Sequence, residues 1–166
     1  MGSGKTYVGE QLAGVLDYHF IDFDSHIEEK ESNSIPEIFK EKGEIYFRKK
    51  ESQYLRELLS GSIDKIVLSL GGGTPCYSGN MDFVNSLGLV KSIYLKCSIA
   101  NLTDRLFYEK DKRPLITHLK TKEELTEFIG KHIFERNPFY NKAEITIHAD
   151  SKSAKEIIES IVMNLY

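Results

Sequence analysis

The chain has 166 residues, and at about 150 residues per domain this length predicts a single domain covering residues 1–166. Its 22 basic and 25 acidic residues give a net charge of -3, which provides no basic field for binding nucleic acid or an anionic membrane. No apolar run approaches the roughly 20 residues of a membrane helix, and no secretory leader opens the chain, so we expect a cytoplasmic protein without a membrane partner.

Helical and strand patterns alternate along the first half of the chain. Apolar residues at near-helical spacing indicate helices, and short aromatic or β-branched runs indicate strands. Ser34 and Glu37 match a capping box with an early proline, which predicts the start of a helix. In chain order the predicted elements are a helix over 5–16, a strand over 19–23, a helix from 35 to Gly43, a helix over about 44–59, a strand over 65–70 and a helical turn near 80–86.

The same alternation continues in the second half of the chain. Ser98, Thr121 and Ser153 stand where side chains cap helices. The predicted elements are a strand over 90–96, a helix over about 99–108, a charged loop over 109–118, a helix from 121 to about 135 or beyond, a strand over 144–148 and a C-terminal helix from 153. Alternating strands and helices predict an α/β fold with a parallel sheet between two layers of helices.

The start of the chain matches part of a phosphate-binding loop. Gly4-Lys5-Thr6 fits the last three positions of G-x-x-x-x-G-K-[ST], and Gly2 adds a second flexible residue. Small residues before a helix let backbone N–H groups point at phosphate oxygens. Lys5 would then reach the β- and γ-phosphates of ATP, and Thr6 would bind Mg²⁺. The other interpretation is that a short glycine-containing sequence at the chain start has no function.

Two carboxylates stand at the end of the first predicted strand. Asp22-Phe23-Asp24 ends this strand, and we expect the side chains of Asp22 and Asp24 to face one site, because residues two apart in a strand project from one face. In a kinase, one such carboxylate holds Mg²⁺ and the other orients or deprotonates the attacking hydroxyl. The alternative is a solvated acidic turn that caps a helix after Ser25.

A glycine triplet and three arginines complete the candidate residues. Gly72, in the triplet that follows the strand over 65–70, is expected to point its backbone N–H at a substrate, although a plain loop would have the same sequence. Arg48, Arg113 and Arg136 can each grip a carboxylate or phosphate with two parallel hydrogen bonds. Any one of them is more often a surface residue. Arg113 lies in a charged loop between helices, where a hinged lid could bring it onto phosphates.

Together these residues resemble the shikimate kinase family. The chain carries, in order, G-S-G-K-T, F-I-D-F-D, S-I-P-E-I-F-K-E-K-G-E-I-Y-F-R-K-K-E, L-S-L-G-G-G-T, R-P-L and R-N-P-F-Y-N-K-A. The core G-E-x-x-F-R-x-x-E is specific to that family among phosphate-loop kinases, and the resemblance extends from Met1 to about Ala143. It implies ATP-dependent phosphorylation of the 3-hydroxyl of shikimate, a step towards chorismate and the aromatic amino acids.

The resemblance implies how shikimate is held. Arg48 and Arg136 would bind its carboxylate, and Gly72 would donate its backbone N–H. Asp24 would bind the substrate hydroxyls and act as the catalytic base. Two guanidinium groups for one carboxylate and an acid for the hydroxyls suit the chemistry of this substrate.

The resemblance also implies ATP as co-substrate and Mg²⁺ as cofactor. Thr6 and Asp22 would bind the metal, Lys5 and Arg113 would be catalytic residues at the transferring phosphate, and Lys152 would lie beside the adenine. The implied ATP contacts are Gly2, Ser3, Gly4, Lys5, Thr6, Tyr7, Arg113 and Lys152.

The family's architecture is a sheet of five parallel strands with a substrate-binding segment, here about 22–50, and a lid, here about 107–119. We expect a monomer whose lid closes to exclude water. The family's strand before the phosphate loop is absent from this sequence, so we expect the chain to be about ten residues short of the full domain. Without that strand, unpaired backbone should make the protein unstable and ATP binding weak. Arg105, just before the lid, and Lys110 in it stay unassigned.

Two other functions remain open from the sequence. Another small-metabolite kinase of similar fold, such as a gluconate kinase, would not need two arginines placed for a carboxylate. The shortened phosphate loop suggests a nucleotide-binding module that no longer catalyses. Turnover of gluconate but not shikimate would indicate the first, and ATP binding without turnover would indicate the second.

Overall fold

A computed structural model describes residues 2–61, 65–109 and 115–166 of the chain. These residues form two compact units. One unit is Thr6–Ser92, and the other combines the start of the chain, up to Lys5, with Ile93–Tyr166. The expectation of a single kinase domain stays a prediction. Among the described residues, no helix combines the length and apolar character needed to cross a membrane.

The unit Thr6–Ser92 contains a parallel pair of strands and the helices that follow them. Its elements, starting with the helix that Lys5 opens, are α1 (Lys5–Leu16), β1 (His19–Asp22), α2 (Phe23–Glu31), α3 (Ile35–Ser60), β2 (Ile66–Ser69), a 3-10 turn (Thr74–Cys76) and α4 (Asn80–Ser86). In the register of β1 with β2, His19 is opposite Ile66 and Asp22 is opposite Ser69. Asp22 and Ser69 therefore end neighbouring strands at the same edge, where parallel sheets bind ligands.

The break in α3 is located at Gly43. This residue has φ 80° and ψ 169° inside an otherwise helical segment, a conformation open essentially to glycine alone. The helix begins with the predicted capping box, in which Ser34 accepts from the N–H of Glu37 and the Glu37 side chain accepts from the N–H of Ser34. The prediction of one helix ending at Gly43 and a longer helix after it is confirmed.

The apolar core of this unit holds two of the candidate site residues in place. Phe23 on α2 is fully buried and Phe47 on α3 is buried, and both belong to one cluster with Ile27, Ile38 and Leu55. Burying a side chain of this size contributes roughly 1.5–3 kcal/mol. Each phenylalanine directly precedes a polar candidate, Asp24 or Arg48. Packing of the cluster therefore fixes the backbone positions from which the side chains of Asp24 and Arg48 extend.

The arrangement expected around Asp24 is wrong in one respect. Strand β1 ends at Asp22, and Asp24 lies in the first turn of α2 and not on a strand. Asp22 and Asp24 therefore do not share a strand face. The cause is a cap, because Oδ1 of Asp22 accepts from the backbone N–H of Ser25 at 3.2 Å. A carboxylate in the first turn is also favoured by the helix dipole. The capping alternative describes Asp22 correctly.

The other unit contains the second parallel pair. Its elements are β3 (Ile93–Lys96), α5 (Ile99–Phe107), α6 (Lys122–Tyr140), β4 (Ile145–His148) and α7 (Ala154–Leu165). Ser98, Thr121 and Ser153 cap α5, α6 and α7, as predicted. Strand β3 is shorter than the predicted 90–96, since Val90 donates its N–H to the carbonyl of Leu87 in a turn.

Strand pairing in both units is parallel, and strands alternate with helices along the chain. Among the described residues, four strands form two two-stranded sheets, β1 with β2 and β3 with β4, with Ile93 opposite Ile145 in the second. The predicted α/β class is confirmed.

Candidate active site

Three oxygen-bearing side chains meet where α1 begins and where β1 and β2 end. Thr6 Oγ1 donates to Asp22 Oδ2 at 3.1 Å, and Thr6 Oγ1 lies 3.5 Å from Ser69 Oγ. Ser69 is buried, and its part in this group was missed in the sequence. Its position at the end of β2, with one residue between it and the glycine triplet, was the available signal.

This group suits magnesium better than a transition metal. It offers hydroxyl oxygens and one carboxylate, a donor set typical of Mg²⁺, which binds through one or two carboxylates and keeps sites for water and phosphate oxygens. Within the described ranges, no group of three or more His, Cys, Asp or Glu side chains is arranged to hold a metal ion. The oxygen group around Thr6 therefore fits the cofactor implied by the sequence.

The loop before α1 has the backbone geometry of an anion site. Gly2 has φ 74° and Gly4 has φ 80°, both in the left-handed region that favours glycine. A side chain at Gly2 would also collide, since a Cβ there would lie 2.9 Å from Cγ of Leu106. Left-handed residues ahead of a helix N-terminus are typical of loops whose N–H groups converge on phosphate. Lys5 opens the helix, and Tyr7 in its first turn is 60% exposed.

The glycine triplet lies directly against Asp24 and Arg48. A Cβ at Gly71 would collide with Oδ1 of Asp24, and a Cβ at Gly73 would lie 2.8 Å from Nη1 of Arg48. Glycine is needed at both positions because the backbone approaches these side chains so closely. Gly72 stands between them in the sequence. The structure therefore brings together three candidates predicted for the substrate: Asp24, Arg48 and Gly72.

Arg48 is held by a buried carboxylate. Its Nη1 donates to Glu51 Oε2 at 2.9 Å, and its Nε donates to Glu44 Oε1 at 3.3 Å. Glu51 is 1% exposed. Burial is the largest single influence and works against the charged form of Arg48. The hydrogen bond and charge of Glu51, with smaller contributions from Tyr77 and Glu44, together outweigh it, so the pKa of the guanidinium lies above its ordinary value. Arg48 is therefore a permanent cation at the glycine loop.

Glu51 also anchors the glycine loop. Its second oxygen, Oε1, accepts from Thr74 Oγ1 at 2.7 Å, and the carbonyl of Thr74 accepts from Asn80 Nδ2 at 2.9 Å. Thr74 and Asn80 are both buried. Sequence reasoning assigned no role to Glu51, although its spacing of three residues from Arg48 on a helix was a signal. No local pattern could have indicated the role of Thr74, because its partner Glu51 lies 23 residues away in the chain.

A second carboxylate network joins the end of α2 to α3. Glu31 accepts from Tyr54 Oη at 2.6 Å, from Tyr46 Oη at 2.8 Å and from Lys42 Nζ at 3.1 Å. The hydrogen bond from Tyr54 is the largest cause that lowers the pKa of Glu31 to about 2, against an opposing effect of burial. The network bridges the break at Gly43, because Lys42 precedes it and Tyr46 and Tyr54 follow it.

The remaining candidates belong to the other unit. Arg136 is partly buried on α6, one turn after His132. Burial, and after it the charge of Arg136, lowers the pKa of His132. Lys152 is exposed just before the cap of α7. Arg113, like Lys110, lies outside the described residues. After that gap, Ile116 in the predicted lid is fully buried.

The comparisons with known proteins agree with one another. The family model for shikimate kinase matches residues 1–166. A shikimate kinase of Flavobacterium psychrophilum is 47% identical over 161 residues, which cover 97% of this chain and 92% of that protein. The crystal structure of a shikimate kinase from Bacteroides thetaiotaomicron matches with a TM-score of 0.85 at 37% identity, over 99% of this chain and 91% of the other. A shikimate kinase from Acinetobacter baumannii in complex with shikimate matches with a TM-score of 0.82 at 32% identity, over 99% and 88% of the two chains.

Proposed function

The chain belongs to the shikimate kinase family, and from that premise we propose how its own residues carry out the reaction. The protein is an ATP-dependent phosphotransferase that converts shikimate and ATP into shikimate 3-phosphate and ADP, a step in chorismate and aromatic amino acid biosynthesis. The contact of the glycine triplet with both Asp24 and Arg48 is the observation that supports our assignment of its substrate site.

We propose that Arg48 is the principal ligand of the shikimate carboxylate. Its guanidinium is charged, is held in place by Glu51, and lies against the backbone of Gly73. A planar guanidinium offers five N–H donors and can grip a carboxylate with two of them. Arg136 is proposed as a second ligand of the same carboxylate, and the N–H of Gly72 as a donor to the substrate.

We propose that Asp24 is the general base. The proton of the 3-hydroxyl passes to the carboxylate of Asp24 while the oxygen attacks the γ-phosphorus of ATP. A new bond forms between that oxygen and phosphorus, and the bond from phosphorus to the β–γ bridging oxygen breaks, which releases ADP. Phosphoryl transfer depends mostly on positioning and on charge stabilisation, so Lys5 and Arg113 are proposed to stabilise the charge on the transferring group.

We propose that ATP binds along the start of the chain. The N–H groups of the loop from Gly2 to Thr6 would hold its phosphates, with Tyr7 and Lys152 as further contacts. Thr6 and Asp22 would hold Mg²⁺, and Ser69 lies beside them. When bound, the metal neutralises charge on the β- and γ-phosphates. A monomer in the cytoplasm is the proposed state of the protein.

The experiment is an ADP-release assay on the wild-type chain and on Asp24→Asn. We expect shikimate to be phosphorylated and gluconate to be left unchanged. Asp24→Asn should abolish turnover while the affinity for ATP, measured by calorimetry, stays close to the wild-type value. Asp17→Asn is the matched control, because Asp17 is exposed and its φ of 55° is one that asparagine also accepts. Unchanged turnover in Asp24→Asn would remove this residue from the role of base.

A further inference from the structure

Tyr77 lies over the guanidinium of Arg48. The Cζ atom of Arg48 is 4.0 Å from the centre of the Tyr77 ring, closer than it is to the rings of Phe47, at 5.1 Å, and Phe39, at 5.9 Å. Tyr77 is 39% exposed, so it is not part of the buried core. Stacking of a guanidinium on an aromatic face is favourable and restricts the orientation of both groups.

The chain on both sides of Tyr77 is tied down by hydrogen bonds. Before it, the N–H of Cys76 donates to the carbonyl of Gly73 at 2.8 Å in the 3-10 turn. After it, the N–H of Asn80 donates to the carbonyl of Tyr77 at 3.0 Å. Arg56 on α3 also donates to the carbonyl of Ser78 at 3.4 Å. The ring is therefore presented to Arg48 by a turn that is itself anchored to the helix carrying Arg48.

The contacts of Arg48 act in different directions. Glu51 and Glu44 accept hydrogen bonds from two different nitrogens of the guanidinium, whereas the central carbon of the group lies over the Tyr77 ring. Two hydrogen bonds at the edge leave the group free to tilt about the line that joins them, and a ring packed against the guanidinium carbon opposes that tilt. A two-bond grip on a carboxylate requires a defined plane. The ring therefore supplies the restraint that the two carboxylates lack.

Glu44 offers Arg48 a competing position. Its side chain is 55% exposed, whereas that of Glu51 is 2% exposed. Glu44, Arg48 and Tyr77 all line one open groove of about 820 Å³ along α3. Without the ring, the guanidinium can turn into this groove and pair more fully with Glu44, which lies one helical turn earlier.

We propose that Tyr77 is a positioning residue for shikimate, whose ring holds the plane of the Arg48 guanidinium and keeps it from turning towards Glu44. The inference rests on the proposed role of Arg48 as the ligand of the substrate carboxylate. Tyr77 acts through Arg48, so it affects binding of shikimate and leaves the binding of ATP unchanged.

The test compares Tyr77→Phe, which keeps the ring, with Tyr77→Leu, which removes it. Tyr77→Leu should raise the KM for shikimate about fivefold, with kcat and the KM for ATP unchanged, and Tyr77→Phe should behave as wild type. Adding Glu44→Gln to Tyr77→Leu should restore part of the lost affinity, because the competing carboxylate is gone. Tyr166→Leu is the control for loss of an exposed tyrosine, since Tyr166 is 89% exposed.

Arg48→Lys separates failure of this inference from failure of the proposed function. If Arg48→Lys leaves the KM for shikimate unchanged, the assignment of Arg48 is wrong. If Arg48→Lys raises it and Tyr77→Leu does not, or if Tyr77→Phe is as impaired as Tyr77→Leu, only the positioning role is overturned. In an Arg48→Lys background, Tyr77→Leu should have no further effect, because the planar group that the ring holds is missing.

Discussion

Arg48 donates from Nη1 to Oε2 of Glu51 at 2.9 Å, and the carboxylate that receives this bond is almost completely removed from solvent. The pair places a fixed positive charge next to the glycine loop, while Thr74 ties the same carboxylate to that loop. One buried glutamate therefore holds both the charged side chain and the backbone that we assign to the substrate.

Glu51→Gln should lower both stability and affinity for shikimate. Removing one partner of a buried ion pair leaves the other charge uncompensated, so we expect the free energy of unfolding to fall by about 3 kcal/mol. The KM for shikimate should rise about tenfold, which corresponds to about 1.4 kcal/mol. Urea denaturation and steady-state kinetics measure the two effects. Glu44→Gln is the control, because its exposed pair with Arg48 should contribute below about 1 kcal/mol to stability. Equal effects of Glu51→Gln and Glu44→Gln would contradict the special role of the buried Glu51 carboxylate.

Gly71→Ala should reduce kcat without unfolding the protein. The added Cβ would occupy the position of Asp24 Oδ1 and lie 3.0 Å from Thr74 Oγ1, so the carboxylate that we assign as base must move. Misplacing a reacting group by about 1 Å can cost about 100-fold in rate. Gly88→Ala is the matched control, since a Cβ at Gly88 meets no described heavy atom within 4 Å. A wild-type kcat in Gly71→Ala would show that Asp24 does not need its present position.

Gly43→Ala should destabilise the protein through its backbone alone. No described atom lies within 4 Å of a Cβ at this position, but φ 80° with ψ 169° is strained for any residue that has a side chain. We expect a loss of about 1–3 kcal/mol. Gly14→Ala provides the contrast, because it lies in helix α1 with open space and should be stabilising by about 0.4–1 kcal/mol. Urea midpoints of the two variants should therefore move in opposite directions.

The Glu31 network should make part of the stability depend on pH. The pKa of Glu31 in the folded protein is lowered from 4.5 to about 2, so the folded state favours the ionised form. Its contribution is therefore fully present above the unfolded pKa of 4.5 and is lost as pH falls towards about 2. The difference in unfolding free energy between wild type and Glu31→Gln should be constant from pH 7 to pH 6 and shrink below about pH 5.

The pH prediction for Glu31 has a control variant and an outcome that would contradict it. Glu10→Gln, at an exposed position of α1, is the control for the loss of one carboxylate. A difference between wild type and Glu31→Gln that stays constant down to pH 3 would mean that the hydrogen bonds from Tyr54 and Tyr46 do not depend on the charge of Glu31.

The helices of this protein are specified by residues that lie close together in the sequence. Ser34 with Glu37, Ser98, Thr121 and Ser153 cap the helices that the sequence predicts, because a cap involves residues only a few positions apart. The same holds for the break at Gly43, which depends on the φ and ψ of one residue. The family was also evident from contiguous motifs. Helix α2 was considered only as the alternative to an extended Asp22–Asp24 segment, and it begins at Phe23 because a cap at Asp22 ends the strand sooner than its apolar pattern indicated.

The contacts of the site depend on tertiary structure. Thr6 meets Ser69 across 63 positions of sequence, Thr74 meets Glu51 across 23, and no local pattern specifies either pair. Only packing of α3 against the glycine loop brings Tyr77 over Arg48. The sequence by itself determined most of the elements, the motifs and the reaction class, because those depend on short spacings. The orientation of each charged group was decided by side chains distant in the chain, since a guanidinium or a carboxylate takes its direction from the partners that the fold places around it.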